Sequence, residues 1–350
     1  MGEMQDRQRH AAHYNPAAMA HAAIDMHTHI LPPGWEDWAR RYGVSGWPSL
    51  KLHDPCNATI YLGEKEYRRI DERSFSPARR IADMDAERIG LQLLSPVPVM
   101  LCYWGPAEAT DAFARMQNDF IAGVVHKHPA RFVGAGTVAL QDAKLAVREM
   151  ERLKGMGFAA VEIGSQVNGR DFDDPQLFDF FAAAQALDMA LFVHPQGPSI
   201  GQERMGQYYL PFMVGYPADS ALAAARLILG GVLERLPRLR ICFAHGGGAF
   251  PAALGRLDHG HRVRPEARKF IAEPPSRYAR SLYFDTLTHD PKLLAFNLEK
   301  FGSQRIMVGS DYPFDMGVEH PLAQLGGLVL THEDIDNITR NTARRFLRLA

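Results

Sequence analysis

The sequence predicts a (β/α)8 barrel, the TIM barrel fold. Eight short apolar runs recur along the 350 residues, and amphipathic segments of helical period separate them. The early runs are apolar on both faces, as parallel strands covered by helices on both sides are. A doubly wound open sheet is the competing architecture, but no glycine-rich dinucleotide fingerprint follows the first strand. The barrel is therefore the preferred fold.

The predicted strands and helices alternate regularly from the first strand to the last. The strands span residues 22–30, 91–100, 132–140, 159–166, 190–196, 240–247, 282–289 and 305–313. Ser76 and Pro77 mark the start of a helix that should end at about Arg88, before Gly90. Further helices are predicted at 106–127, 142–155, 174–187, 218–234, 291–300 and 332–349. Thr331 is a suitable N-cap for the final helix, because acidic residues follow it.

The chain is predicted to hold one barrel domain over residues 22–350, preceded by a flexible N-terminal extension over 1–21. Two segments are too long to be simple connections. Residues 31–75 form an insertion after the first strand, and residues 196–216 form a lid loop after the fifth. Long ordered loops on barrels usually cover active sites, so both segments are expected to wall a substrate pocket.

Charge and composition exclude several function classes. The 39 basic and 40 acidic residues give a formal net charge of −1, which argues against nucleic acid or an anionic membrane as the main partner. No run approaches the roughly 18 apolar residues that span a bilayer. The cysteines are Cys56, Cys102 and Cys242, too few and too far apart for a disulfide framework or a cysteine-zinc site. A cytoplasmic protein is expected.

Four predicted strand ends carry metal-ligating side chains. In IDMHTHILP, His27 and His29 point to the same face of a strand, while His194, His245 and Asp311 follow later strands. A barrel brings its strand ends together at one mouth. Each motif alone also fits a packed histidine or a turn, but their joint occurrence predicts a site for a divalent metal ion with one position open to water.

These motifs resemble the metal-dependent amidohydrolase superfamily in its decarboxylase branch. The resemblance runs from about residue 22 to the end and rests on IDMHTHILP, FVHP, CFAHGGGAFP with GR, VGSDYPFDMG, NDF (118–120), LPFMV (210–214) and GGLVL (326–330). It implies one divalent metal, most often zinc, with manganese and cobalt as alternatives. It implies His27, His29, His194 and Asp311 as ligands, and His245 as the adjacent acid/base residue.

The fourth predicted strand departs from the hydrolases of that superfamily. Those enzymes carry a carboxylated lysine there, whereas this strand reads VEIGSQ and has no lysine. A lysine-bridged pair of metals is therefore not expected. Glu162 is the one ionisable side chain on the strand. A position facing the surrounding helices is at least as compatible with the pattern as a role in the site.

The resemblance also implies contacts for a carboxylated substrate. Arg68, in GEKEYRR, and Arg256, in ALGRLDHG, match arginines that bind carboxylate, with Arg69 as an alternative to Arg68. In that family the second arginine reaches the neighbouring subunit's active site, so a homodimer is expected. Phe314 and Tyr208 are expected to wall the pocket.

One departure leaves the substrate open. Similar enzymes read HPWD after the fifth strand, whereas this chain has Gln196 and Gly197 after the proline, and one extra residue before LPF. Loss of the tryptophan would widen the site.

The activity implied is non-oxidative decarboxylation of a carboxymuconate semialdehyde-type product of aromatic ring cleavage. Metal-bound water and His245 would supply the acid/base chemistry, and Asp311 would anchor the metal and assist proton transfer. Decarboxylation of a resorcylate- or salicylate-type acid is the alternative. Hydrolysis of a lactone or amide, or hydration of a conjugated acid, would use the same residues. A metal-binding structural or regulatory protein is disfavoured, because no ligand or acid/base residue is missing.

Overall fold

The computed structural model describes residues 23–197 and 199–349, and the predicted N-terminal extension lies outside them. Eleven strands are present in this part of the chain. They are β1 (Ala23–His29), β2 (Pro48–Asp54), β3 (Asn57–Leu62), β4 (Lys65–Asp71), β5 (Ile89–Ser95), β6 (Phe132–Thr137), β7 (Ala160–Ile163), β8 (Ala190–Val193), β9 (Ile241–Phe243), β10 (Tyr283–Asp285) and β11 (Ile306–Met307).

Strands β1 and β5–β11 form one parallel sheet in chain order, as the sequence predicts for a barrel. The first strand is joined to the chain that follows the last strand. The Met26 N–H donates to the Val308 carbonyl at 2.8 Å, and the His29 N–H donates to the Tyr312 carbonyl at 2.8 Å. The sheet therefore curls into a TIM barrel, and the predicted fold is confirmed.

Helices cover the outside of the barrel. They are α1 (Trp38–Tyr42), α2 (Pro77–Ala86), α3 (Ala107–Lys127), α4 (Ala143–Gly155), α5 (Phe178–Ala186), α6 (Tyr216–Leu229), α7 (Val232–Arg235), α8 (Phe250–Val263), α9 (Pro275–Ala279), α10 (Pro291–Phe301), α11 (His332–Asp336) and α12 (Thr342–Leu347). The sequence did not predict α1, α8 and α9. Helix α8 begins directly after three glycines and has no side-chain N-cap, so the usual start signal is missing there.

The barrel has an apolar interior as well as an apolar layer beneath the helices. Met26, Leu93, Phe192 and Met307 lie inside, fully buried, and Phe346 of α12 belongs to the same cluster. The interior is therefore a packed core and not a channel. This core supports the strand ends from below, and the ring centroids of Phe192 and His27 lie 5.0 Å apart.

The insertion after β1 is an antiparallel sheet, β2–β3–β4, rather than a plain loop. Trp38 and Trp47 anchor it to the barrel through Phe113 of α3, with ring centroids 5.1 and 5.3 Å apart. This packing holds β4, which carries Arg68, close to the barrel mouth.

One stretch in the described part of the chain, Pro211–Leu229, is long and apolar enough to cross a membrane by length and composition alone. It comprises α6 and the turn before it. Ala224, Leu227 and Ile228 are fully buried in the layer between the helices and the barrel, so packing on the barrel accounts for its apolar character.

Candidate metal centre and active site

Four strand ends place histidine and aspartate side chains at one mouth of the barrel. The nearest ligand atoms of His27, His194, His245 and Asp311 all lie within 4.8 Å of one another. His29 joins them, because its Nε2 is 3.1 Å from Asp311 Oδ1. All five predicted residues therefore converge. The geometry brings His245 as close to the group as the histidines that the resemblance implies as ligands.

The four imidazoles pack edge to face around this centre. Their ring centroids lie between 4.8 and 5.1 Å apart for the pairs in contact. Four imidazoles at this spacing, with the Asp311 carboxylate beside them, form a compact set of nitrogen and oxygen ligand atoms. That donor set suits borderline divalent cations.

Three histidines are oriented through their Nδ1 atoms. His27 Nδ1 lies 2.7 Å from Asp285 Oδ2, His29 Nδ1 lies 2.8 Å from the Pro96 carbonyl, and His194 Nδ1 lies 2.6 Å from the Pro195 carbonyl. The Nε2 atoms of these histidines are buried. Those of His27 and His194 have no hydrogen-bond partner among the described residues, and that of His29 lies 3.1 Å from Asp311 Oδ1 without a hydrogen bond of good geometry. Buried nitrogens in this condition are normally satisfied, and a cation bound by all three would satisfy them.

For His27, His194 and Asp311, though not for His29, the electrostatics favour the protonation states that a metal requires. Burial lowers the pKa of His27. Burial and the neighbouring imidazoles of His245, His29 and His27 hold the pKa of His194 well below its ordinary value. Burial would raise the pKa of Asp311, but the neighbouring histidines hold it well below its usual range. Burial alone would lower the pKa of His29, yet Asp311 and Glu162 raise it overall.

Backbone geometry aims two of the site residues. His245 and Asp311 both adopt left-handed conformations, with φ of 56° and 58°. His245 opens a tight turn that continues through three glycines of positive φ. At Gly248 a Cβ would lie 2.5 Å from the Pro217 carbonyl oxygen, so only glycine fits there. The glycine run therefore holds His245 against the mouth.

Asp285, at the end of β10, is a site residue that the sequence reasoning missed. It is fully buried, and its Oδ2 contacts His27 Nδ1 and accepts from the His245 N–H at 2.9 Å. Its Oδ1 accepts from the Gly246 and Leu287 N–H groups at 2.7 and 3.1 Å. One carboxylate thus fixes both a candidate ligand and the turn that carries His245. An acidic side chain within the predicted strand 282–289 was the available signal.

A second buried carboxyl group braces the site from below. Asp25 accepts from the Ser310 hydroxyl at 2.6 Å, the Ser310 N–H at 3.1 Å and the His27 N–H at 3.2 Å. It thereby ties β1 to the residue that precedes Asp311. Burial raises the pKa of Asp25 to about 7, against the opposing effect of these hydrogen bonds.

Glu162 lies inside the barrel and does not face the surrounding helices. It is fully buried, and its Oε2 is 3.7 Å from His29 Nδ1. Burial raises the pKa of Glu162 to about 7, partly offset by His29 and Ser95. The structure therefore brings the ionisable residue of the lysine-free strand to the edge of the metal centre.

A cavity of about 390 Å³ opens beside the histidine cluster. His194, His245 and Asp311 line its floor, and Arg68 and Phe314 line its wall. Most of the remaining lining is apolar, with the phenol rings of Tyr67 and Tyr216 among it. The volume and the mixture of apolar walls with a few polar groups are typical of a small-molecule site.

Arg68 is the cationic group of this cavity. Its side chain is 16% exposed, and its guanidinium lies 4.7 Å from the Phe314 ring centroid. Nη1 donates to Asp315 Oδ1 at 3.1 Å, and Nη2 donates to the Tyr209 hydroxyl. Arg69 points elsewhere, since its side chain is 81% exposed and pairs with Glu66.

The amidohydrolase family model matches residues 24–349, nearly the whole described chain. The chain belongs to the amidohydrolase family. It is 41% identical to the 2-amino-3-carboxymuconate-6-semialdehyde decarboxylase of Dictyostelium discoideum, over 84% of this chain and 82% of that protein. It is 27% identical to the gamma-resorcylate decarboxylase of a Polaromonas species, over 87% of this chain and 99% of that protein.

A solved structure agrees with this amidohydrolase in fold. The 5-carboxyvanillate decarboxylase of Novosphingobium aromaticivorans superposes with a TM-score of 0.70 at 25% identity, over 79% of this chain and 82% of that chain. That enzyme was solved with manganese and 4-hydroxy-3-methoxy-5-nitrobenzoic acid.

Two predicted substrate contacts of this amidohydrolase lie outside the cavity. Tyr208 is 77% exposed, whereas its neighbour Tyr209 contacts Arg68. Both tyrosines have φ near 60°, and Tyr209 is also exposed, at 41%, and lies outside the cavity lining. Arg256 lies on the exposed face of α8. Gln196 donates to the Gln166 carbonyl and does not line the cavity.

Proposed function

We propose that this chain, a metal-dependent decarboxylase of the amidohydrolase family, removes CO2 from a carboxymuconate semialdehyde-type product of aromatic ring cleavage. The observation that carries the proposal is one cavity that joins the histidine and aspartate cluster to Arg68. An acid that loses CO2 needs a proton donor at one end of such a cavity and a cation for its carboxylate at the other. The 41% identity with a decarboxylase of that substrate supports the choice.

His27, His29, His194 and Asp311 are the proposed holders of one divalent ion. When bound, such an ion lowers the pKa of a water and provides a proton source at neutral pH. Zinc is the proposed ion, because imidazole and carboxylate ligands suit it, and manganese or cobalt would accept the same set. The manganese bound by the Novosphingobium enzyme, which shares this fold, supports a divalent ion in this chain.

His245 is the proposed acid/base residue. It lines the cavity, its Nε2 lies 3.7 Å from Asp311 Oδ2, and its Nδ1 has no hydrogen-bond partner among the described residues. A proton on His245 would be stabilised by the Asp311 carboxylate. Histidine suits this role because its ordinary pKa lies near working pH.

The proposed reaction replaces CO2 by a proton. Arg68 binds a carboxylate of the substrate and turns the scissile bond out of the conjugated plane. A proton passes under the control of His245 to the carbon that bears the scissile carboxylate. The bond from that carbon to CO2 then breaks, and its electron pair restores the conjugated system. Phe314 and the apolar wall exclude water from the reacting carbon.

Arg256 is proposed to act in the neighbouring active site of a homodimer. Its exposure on α8 and its position outside this chain's cavity are compatible with that role. Mixing two inactive variants, R256A and H245A, tests it. In an equal mixture with free subunit exchange, half of the dimers are mixed and each has one intact site if the site is shared. A shared site therefore predicts recovery of roughly a quarter of the wild-type activity in the mixture, and separate sites predict none. The cytoplasm is the proposed location.

The experiment that tests the function measures both substrate consumption and CO2 release when metal-loaded protein acts on three compounds. They are freshly generated 2-amino-3-carboxymuconate 6-semialdehyde, 2,6-dihydroxybenzoate and a lactone that cannot lose CO2. Fast release from the first supports the proposal. Preference for 2,6-dihydroxybenzoate would support the aromatic-acid alternative, which the gamma-resorcylate relative favours. Turnover of the lactone alone would contradict both.

A further inference from the structure

A second charged cavity lies at the opposite end of the barrel from the histidine cluster. Its volume is about 630 Å³, and its walls include the residues that enter strands β8–β11 from below. Asp188 closely precedes β8, whereas Arg240 and Arg305 directly precede β9 and β11. The strand starts and the strand ends of a barrel lie on opposite faces, so this cavity is separate from the active site.

The cavity is strongly cationic although the whole chain carries a formal charge of −1. Its lining contains one acidic residue, Asp188, and five arginines: Arg238, Arg240, Arg305, Arg345 and Arg348. Asp188 pairs with Arg240 at 2.9 Å and with Arg348 at 3.2 Å. Within the described chain the other three arginines have no carboxylate within salt-bridge distance. Positive charge in this lining therefore exceeds negative charge by four, five arginines against one aspartate.

Arg240 is the buried member of the set. The residue is only 9% exposed, and its Nε and Nη2 bind Asp188. Its Nη1 is buried and has no hydrogen-bond partner among the described residues. Leaving a buried guanidinium N–H unpaired costs free energy, so a ligand that accepts from it would be favoured.

We propose that this cavity binds a phosphate-bearing small molecule. Guanidinium groups present fork-like pairs of donors that match phosphate oxygens, and several arginines around one cavity suit a multiply charged group. The cavity volume falls within the range of small-molecule sites. Arg305, held over the Tyr283 ring at 4.6 Å, adds a fixed cation to the wall.

Calorimetric titration of metal-loaded, full-length protein with inorganic pyrophosphate at constant ionic strength tests the proposal. The wild type should bind one pyrophosphate per chain, and R238Q/R348Q should weaken binding at least about tenfold. D188N should tighten it, because the variant removes the one carboxylate of the lining. Metal content is measured after titration, since pyrophosphate also binds divalent ions.

Two control variants separate binding in this cavity from a general effect of charge and from binding in the active site. R264Q/R268Q removes the same charge from an exposed segment elsewhere, so it should leave binding unchanged. R68M should also leave it unchanged, because Arg68 lines the active site. If R264Q/R268Q weakened pyrophosphate binding as much as R238Q/R348Q does, the effect would be one of general charge. If R68M lost pyrophosphate binding, the binding would belong to the active site. Either outcome, or no binding by the wild type, overturns the proposal.

Discussion

At the scale of single residues, the site depends on groups that hold the histidines rather than on the histidines alone. Each of His27, His29 and His194 is oriented by an acceptor at Nδ1, and Asp285 serves both His27 and the His245 backbone. The sequence motifs predicted the histidines because strand ends meet in a barrel. Asp285 was missed because its role depends on contacts with β1 and with the β9 turn, far away in the chain.

Replacing Asp285 by asparagine should weaken metal binding by about 10–100-fold, because an amide can no longer fix the His27 tautomer in the same way. Competition with a chromophoric chelator measures the dissociation constant. D179N is the matched control, since Asp179 is exposed on α5. An unchanged dissociation constant in D285N would show that Asp285 does not orient the ligand.

Replacing Arg68 by methionine should lower kcat/KM by the equivalent of about 1.5–3 kcal/mol, since a charged hydrogen bond to the substrate carboxylate is lost. The loss should appear in both KM and kcat, because Arg68 is proposed to bind the carboxylate and also to orient the scissile bond. R69Q is the control from the adjacent position, whose side chain is 81% exposed. Equal effects of the two substitutions would contradict the assignment of Arg68 to the cavity.

At the scale of elements, the barrel strands could be predicted from the sequence, whereas the β2–β4 sheet and the segment after β8 could be predicted only in part. Apolar runs fixed the eight strands within a few residues. The β2–β4 sheet was expected as a wall of the pocket but not as a sheet, because its exposed strands lack a continuous apolar pattern. The contact of Tyr209, rather than Tyr208, with Arg68 was not predicted, because composition does not reveal the left-handed backbone at both tyrosines.

One carboxylate of α6 anchors Ser199 and Ile200, in the segment 196–216 that the sequence predicts to be a lid. Asp219 accepts from the Ser199 N–H at 2.9 Å, the Ser199 hydroxyl at 2.9 Å and the Ile200 N–H at 3.3 Å. D219A should raise KM several-fold and speed proteolytic cleavage within 196–216, because the loop loses its anchor. D219N keeps one acceptor oxygen, so its KM and its cleavage rate should lie between those of the wild type and of D219A. Cleavage at the wild-type rate in D219A would contradict this anchoring role.

At the scale of the whole molecule, the buried carboxyl groups should make stability depend on pH. Burial raises the pKa of Asp25 to about 7, whereas an unfolded chain releases that proton near pH 4. Between these values the folded state binds the extra proton, so the contribution to stability is complete at low pH and is lost as pH rises through about 7.

Comparison of the wild type with D25N isolates this contribution. The difference in free energy of unfolding between the two should shrink by on the order of 2–3 kcal/mol from pH 5 to pH 8 in metal-free protein. Urea denaturation at each pH measures it. Because the other titrating groups are common to both proteins, a difference that stays constant with pH would show that Asp25 does not retain a proton in the folded state.

The central claim is that one divalent ion at the barrel mouth is required for decarboxylation. Its most direct test is a titration of chelator-treated protein with zinc, and separately with manganese, while CO2 release from 2-amino-3-carboxymuconate 6-semialdehyde is recorded. We expect no release without metal and a plateau at one ion per chain. We also expect H27A to stay inactive at the same metal concentration. Full activity of metal-free protein, or of H27A, would contradict the claim.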